Sequence, residues 1–364
     1  MPAISVLIPV RDAGPYLDAA LSSISCQDFR DLEIVAVDDA STDGSGGLLA
    51  DAAKRDPRIR IIPGSGTGIA DALNRGLAVC RAPLIARMDA DDIAHPTRLG
   101  LQAAAMAADP ELLVLGGAIR LIDSEGQVIG RRIYAVDRGR IRSHLPSVAP
   151  VAHPATMLRA SAVRSLGGYR GAFRRCEDYD LWLRCSRLGP RAIGNLPETI
   201  LDHRIHGASV SQRNPLEQEE WCEVAWWMHR LRLADLPEPE LPPDCDAIAA
   251  CDRFPDGWRR LVKLCLLLRR APRTGGSQRD PGQLRLLLAL LRCDDGTFSR
   301  GELSAFHLRC AGFEARHGSL LGCLAEMGRS VAASPSVAIA GLLRRMAGRD
   351  ASELPSWRMG EDFI

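Results

Sequence analysis

Three carboxylates stand within four residues at Asp89, Asp91 and Asp92, in the run Arg87-Met88-Asp89-Ala90-Asp91-Asp92. Neighbouring like charges raise one another's pKa unless a cation sits between them. The spacing therefore points to a bound divalent metal. A second polar group, Asp38-Asp39-Ala40-Ser41-Thr42-Asp43, mixes carboxylates with helix-capping types, and Ser41, Thr42 and Asp43 read as caps for a following helix. A third, Glu177-Asp178-Tyr179-Asp180, places acids where a helix starting near Glu177 would have its first turn, and there they complement the helix dipole.

The elements that position these groups are legible from periodicity. Short β-branched runs at 4–9, 32–37, 59–62, 84–86 and 112–115 read as buried strands. Between them, Leu17, Leu21 and Ile24 share a helical face after Pro15, as do Ala70, Leu73, Leu77 and Cys80. Strands alternating with helices predict βαβ units in a mostly parallel sheet flanked by helices. Ligands of such sheets bind beyond the carboxyl ends of the strands, which is where the first two acidic groups fall. A hairpin or edge region is expected within 119–133, and Leu181, Arg184 and Leu188 continue the helix from Glu177.

After residue 215 strand signals vanish and Leu, Ala, Arg and Trp dominate, with breaks at 237–243 and 274–282. The expected organisation is a domain over 1–215 and a mostly helical carboxy-terminal extension over 216–364. Trp221, Trp226 and Trp227 read as helix packing.

The 364 residues carry a formal net charge of +1, which argues against nucleic-acid binding. The 11 cysteines contain no CxxC pair and scatter like reduced, packed thiols, so the cytoplasm is the expected compartment. No apolar run approaches a membrane span or a signal-peptide core. The segment 258–270 joins apolar residues to five cations, and 342–346 hints at the same. Such segments either pack on the catalytic domain or make peripheral contact with the inner face of the membrane.

In this order, Ser5-Val6-Leu7-Ile8-Pro9-Val10, the run 33–43, Ala72-Leu73-Asn74-Arg75-Gly76-Leu77, the run 87–92 and Glu177-Asp178-Tyr179-Asp180-Leu181-Trp182 resemble family 2 glycosyltransferases of the GT-A fold. Arg204-Ile205-His206-Gly207-Ala208-Ser209-Val210-Ser211 matches a weaker feature of that family. The likeness covers about the first 215 residues. It implies an inverting, metal-dependent transfer of a sugar from a nucleoside diphosphate sugar, UDP favoured, to a hydroxyl of a cell-surface glycan or lipid-linked acceptor.

The resemblance also implies roles. Pro9 and Asp39 would line the nucleobase pocket, Asp89 would face the ribose or donor sugar, and Asp91 would hold Mn²⁺ or Mg²⁺. Asp178 would be the general base, and His206 with Ser209 and Ser211 would lie on a loop over the diphosphate. Where many relatives have an aromatic residue and Asn after the first strand, Arg11 and Asp12 stand here, and Arg11 could stack on the base through its guanidinium plane. Asn74 and Arg75 either approach the donor or lie on a solvated helix face. His95 and His153 are assigned to structure.

Two other readings compete. A nucleotidyltransferase would also use acidic metal ligands on an α/β sheet, but Gly64-Ser65-Gly66-Thr67-Gly68 lacks the lysine of a phosphate loop. A non-catalytic nucleotide- or sugar-binding scaffold would have no use for Asp39, Asp89, Asp91 and Asp178 together.

Overall fold

Short apolar runs become β1 (Ile4–Val10), β2 (Leu32–Asp38), β3 (Ile59–Pro63) and β4 (Leu84–Arg87). β1 and β2 are buried on both faces, so their sequences are continuously apolar instead of alternating. The four strands pair in parallel in the order β3-β2-β1-β4. α1 (Gly14–Ser25), α2 (Ser45–Arg55) and α3 (Ile69–Val79) make the crossovers, burying Leu17, Leu21 and Ile24 in α1 and Ala72, Leu73 and Leu77 in α3. Gly76 lets α3 lie close on the sheet, because a Cβ there would stand 2.1 Å from Leu7 Cδ1.

The computed structural model describes residues 1–145, 149–207, 215–242 and 245–255, with Arg259 and Val262. Ser209, Ser211, the segment 342–346 and, apart from those two residues, the basic segment 258–270 lie outside them. One compact unit covers Met1–Arg253 and a second spans Phe254–Trp357.

Beyond β4 the chain continues through β5 (Ile93–Ala94), α4 (Arg98–Ala108), β6 (Val114–Ile122), β7 (Val128–Arg132) and α5 (Arg138–His144). A 3₁₀ turn at His153–Ala155 precedes β8 (Met157–Arg159), α6 (Ala160–Ser165), α7 (Glu177–Cys185) and β9 (Ile193–Arg204). α8 (Pro215–Leu233) and α9 (Ala247–Cys251) follow. The sheet runs β3-β2-β1-β4-β8-β6-β9-β5, with β7 on β6. β8 is antiparallel to β4 and β6, β9 is parallel to β6, and β5 is antiparallel to β9. The sheet is therefore mixed, and wholly parallel pairing is confined to its first four strands. The run at 112–115 opens the longer β6, and the hairpin at 119–133 is the β6–β7 pair, with Ile119 opposite Arg132.

The tryptophans of α8 pack as structure. Trp221 meets Phe173 edge-on at 6.0 Å, Trp227 Nε1 donates to Glu223 Oε1 at 2.8 Å, and Trp226 lies 5.4 Å from the His229 ring. α8 packs on α7, where the fully buried Asp180 accepts from Arg170 Nε and Arg184 Nε, each at 2.9 Å.

Buried polar side chains tie strand ends together. Arg98 Nη2 donates to Arg87 O at 2.6 Å and Arg98 Nε to Gln102 Oε1 at 3.1 Å. Gln102 Nε2 then donates to Leu115 O and Ala155 O, each at 2.9 Å. At the opposite end of the sheet Glu33 accepts from Ser5 Oγ, Arg81 N and Arg60 Nη1 at 2.7, 2.7 and 2.8 Å.

Burial pushes Glu33 up, but these hydrogen bonds outweigh it and hold the carboxyl at about 2. A carboxyl depressed on folding stabilises above its unfolded value, near 4.5, and loses that contribution as pH falls toward 2. Glu33→Gln should therefore cost about 1–3 kcal/mol at neutral pH, with a deficit that narrows below pH 4.5. Urea melts of both proteins at pH 7 and pH 3 check this.

Candidate active site

β1 and β2 end side by side and define one wall. Pro9 lies opposite Val37 in the β1–β2 register. Asp39, 3% exposed, follows β2 and donates its own N–H to Val10 O at 2.8 Å. Its carboxylate accepts from Gly66 N at 2.7 Å and Gly68 N at 3.3 Å, both glycines being left-handed in φ. Arg11 Nη1 lies 3.4 Å from Asp39 Oδ2 and donates to Gly66 O at 3.0 Å. Asp39 and Arg11 thus brace the turn 64–68 against the strand ends. A Cβ on Gly64 would come within 2.7 Å of Asp39, so only glycine permits this approach. A carboxylate offers about four acceptor directions, which leaves Asp39 capacity for a further donor.

The caps differ from expectation. α2 is preceded by Gly44, with no side-chain cap. Asp43 accepts from Gly14 N at 2.8 Å and from Ser45 N at 3.0 Å, serving the starts of two helices, while Ser41 N and Thr42 N bond Asp38 Oδ1 and Asp12 Oδ1. The segment locks the ends of β1 and β2 to each other.

The second wall is built on β4. Arg87, buried, makes a two-pronged pair with Asp89, Nη1 to Oδ2 and Nη2 to Oδ1, each at 2.7 Å. Asp92, also buried, accepts from Arg204 N at 2.8 Å and faces His203 Nδ1 at 3.2 Å. Asp91 carries His206 Nε2 at 2.9 Å. Arg204 Nε donates to Asp91 O at 2.9 Å, and the Arg204 guanidinium lies 4.5 Å over the Tyr16 ring, which in turn sits 5.2 Å from His206. Burial first, then the charges of Asp89 and Asp92, push Asp91 up to about 6 against the pull of His206.

The ligand oxygens of Asp89, Asp91 and Asp92 lie within 4.8 Å of one another. Asp92 is committed to Arg204 and His203, and Asp89 to Arg87, so Asp91 has the strongest unmet demand for positive charge. One or two oxygen donors on a half-buried ledge fit a hard divalent ion that completes its shell with phosphate and water.

α7 brings in the third group. Asp178 Oδ1 accepts from Tyr179 N at 2.7 Å, and its Oδ2 lies 3.9 Å from His153 Nδ1. Glu177, His153 and Asp178 present their ligand atoms within 4.8 Å of each other. Burial pushes both acids up, Glu177 to about 8, while the nearby Arg87 charge pulls both down and Asp89 pushes both up. The Arg87–Asp89 pair and the start of α7 therefore share one electrostatic field. His153, assigned to structure by sequence, stands beside Asp178. Its Nε2 bonds the Tyr169 hydroxyl at 3.0 Å, and Trp182 meets its ring edge-on at 5.8 Å.

Other assignments are settled by contact. Asn74 neither faces the donor wall nor lies free in solvent: it clamps Tyr169 N and O, at 2.9 and 2.7 Å. Arg75 pairs with Asp71 along α3 at 2.6 Å. His95 bonds Asp202 at 2.7 Å, a structural contact. Arg87, Tyr16, His203 and Arg204 were given no role by sequence, and Glu177 only that of a first-turn acid. The available signal was position, since Arg87 and Arg204 fall inside matched segments.

A sheet with acidic loops after β2 and β4, faced by an acid-tipped helix, is the architecture of the GT-A fold. The family model of glycosyl transferase family 2 matches residues 5–167. The O-antigen biosynthesis glycosyltransferase WbnJ of Escherichia coli is 33% identical over 217 residues, 57% of this chain and 82% of that protein. The amylovoran biosynthesis glycosyltransferase AmsE of Erwinia amylovora is 31% identical over 233 residues, 63% of this chain and 85% of that protein. The crystal structure of S. aureus TarS 1–349 in complex with UDP-GlcNAc is 14% identical, covers 91% of both chains at a TM-score of 0.56, and shares the fold. The chain belongs to glycosyl transferase family 2 and is a glycosyltransferase.

The Glu177 carboxyl gives a pH test of the site. A group raised on folding contributes its stability below its unfolded value of 4.5 and loses it as pH rises through about 8. Glu177→Gln, which cannot ionise, should escape that loss and gain on the wild type as pH climbs from 5 to 9. Paired thermal melts across this range measure the difference.

Proposed function

We propose that this chain transfers a sugar, with inversion, from a nucleoside diphosphate sugar to a hydroxyl acceptor, in the building of a cell-surface glycan. The observation that carries the reading is that Asp89, paired with the buried Arg87, clusters with Asp91 and Asp92 at the end of β4, while Asp178 lies in the field of the same guanidinium. The O-antigen role in the name of one relative and the UDP-GlcNAc in the TarS complex support the glycan and a UDP donor.

Inversion is one in-line displacement, in which the attacking hydroxyl loses a proton as the diphosphate leaves. Pro9, Arg11 and Asp39 receive the nucleobase, Asp39 accepting a hydrogen bond and Arg11 offering its guanidinium plane. Asp89, held by Arg87, faces the ribose or donor sugar. Asp91 would hold Mn²⁺ or Mg²⁺, which neutralises charge growing on the leaving diphosphate. His206, on Asp91 here, flanks that diphosphate. Asp178 takes the acceptor proton, and a raised carboxyl pKa suits that task.

Residues 1–215 carry these groups. A cytoplasmic working place belongs to the same reading, supported by thiols such as Cys80, Cys176 and Cys185, buried as small hydrophobes. Among the described residues no helix is long and apolar enough to cross a membrane.

Two measurements decide this. UDP, GDP and dTDP are compared by thermal shift with and without Mn²⁺. At 100-fold excess over Kd, one of them should stabilise by about 2.7 kcal/mol, a rise of several degrees that Asp91→Ala abolishes. No shift from any nucleotide would overturn the reading. Once the donor is known, Asp178→Asn should lower kcat by about 10²–10⁴-fold with donor binding retained; unchanged turnover would remove Asp178 as base.

A further inference from the structure

β7 and the residues after it form a surface that the donor chemistry does not use. Among the described residues β7 pairs with β6 alone, so its outer edge is open. Val128 and Ile129 are each 56% exposed, and successive strand residues point to opposite faces, so neither face is covered at that end. Ile133 and Val136, 51% and 46% exposed, continue the apolar surface. Four large apolar side chains exposed within nine residues mark a candidate contact surface.

The charge around them is mainly positive, with Asp123 and Glu125 in the preceding turn. Residues 128–142 hold five arginines against a single acid, Asp137. Asp137 caps α5 by accepting from Arg140 N at 2.8 Å, and Arg138 is engaged by Asp109 at 3.0 Å. Arg131, between Ile129 and Ile133 in the chain, and Arg140 and Arg142 of α5 are exposed. Interleaved apolar tips and guanidinium groups match a membrane interface, where the tips enter the acyl boundary and the arginines reach lipid phosphates.

The surface adjoins the candidate active site at both ends. Arg204 Nη1 donates to Asp123 O at 2.8 Å and to Ser124 O at 3.0 Å, tying the β6–β7 turn to the loop that carries Asp91. Past β7, burial raises the Tyr134 phenol, Arg132 opposes the rise and the charge of Asp178 adds to it, which puts Tyr134 within the field of that carboxylate.

We propose that β7 and the segment through Arg142 form a docking surface for an anionic lipid membrane. An acceptor carried on a lipid would then arrive beside Asp178. That consequence rests on the transferase mechanism above, whereas the membrane contact does not.

The test sediments the full chain with vesicles of phosphatidylcholine alone or mixed with phosphatidylglycerol, at low and high salt. The wild type should bind the mixed vesicles, less so at high salt. Arg131→Glu/Arg140→Glu/Arg142→Glu and, separately, Val128→Ser/Ile129→Ser should each weaken binding, the first by at least about tenfold, with melting temperatures unchanged. The proposal is overturned if the wild type does not bind, or if both variants bind as the wild type does, as they would were 258–270 the only anchor. A wild type that binds vesicles but is not stabilised by any nucleotide would sink the transferase mechanism and leave the membrane surface standing.

Discussion

The guanidinium of Arg87 is 2% exposed at the end of β4, and it sets the terms on which the site is built. An arginine keeps its proton, so burying one requires fixed negative charge nearby. Asp89 answers with both oxygens, and the acids at the start of α7 lie in the same field. The strand end is also gripped from behind, since Arg98 donates to the Arg87 carbonyl and is itself coupled through Gln102 to β6. The loop after β4 and α7 are distant in sequence, and a single buried charge gives both a reason to converge. Removing the acids of either would leave that charge short of balance, so the two are not energetically independent.

A second constraint comes from the returning chain. The loop 89–92 is too short to order itself, and β9 completes it. Arg204 N bonds Asp92, Arg204 Nε bonds Asp91 O, and His203 and His206 take one aspartate each. Tyr16 at the start of α1 stacks under Arg204, so the first helix, the acidic loop and the last strand meet at one point. Asp91 is therefore held by its neighbours' backbone and side chains where burial and the charges of Asp89 and Asp92 push its carboxyl up.

What was legible in the sequence follows from how local each cause is. β1, β2 and β4 are buried runs whose composition alone declares them, and the acidic loops follow them directly. β9 was not legible: its twelve residues include Pro197 and several polar residues, and its register with β6 shifts twice. Its order comes from pairing with a strand some seventy residues earlier, which no local pattern encodes. Asn74 was misread, and the place of His153 beside Asp178 was not foreseen, for the same reason. Each looks like an ordinary helix-face or core polar residue until the turn at 167–169 or the start of α7 is folded against it. The cap reading of Ser41 and Thr42 failed because the neighbouring chain ends offered their backbone N–H groups closer carboxylates.

The adjacent acids at the start of α7 show how the fold separates two chemically similar groups. Glu177 and Asp178 face the same guanidinium, and two carboxylates so close do not both keep full charge in a buried place. Glu177 is 6% exposed and is pushed to about 8, so it holds its proton at neutral pH. Asp178 keeps a 22% exposed side chain, a backbone N–H on Oδ1, and an Oδ2 turned toward His153. Asp178 is raised too, by burial first, but it is the more open of the two. The fold thus gives the proton at neutral pH to the deeper acid and leaves the more exposed one at the start of α7, which is the separation that the proposed base requires.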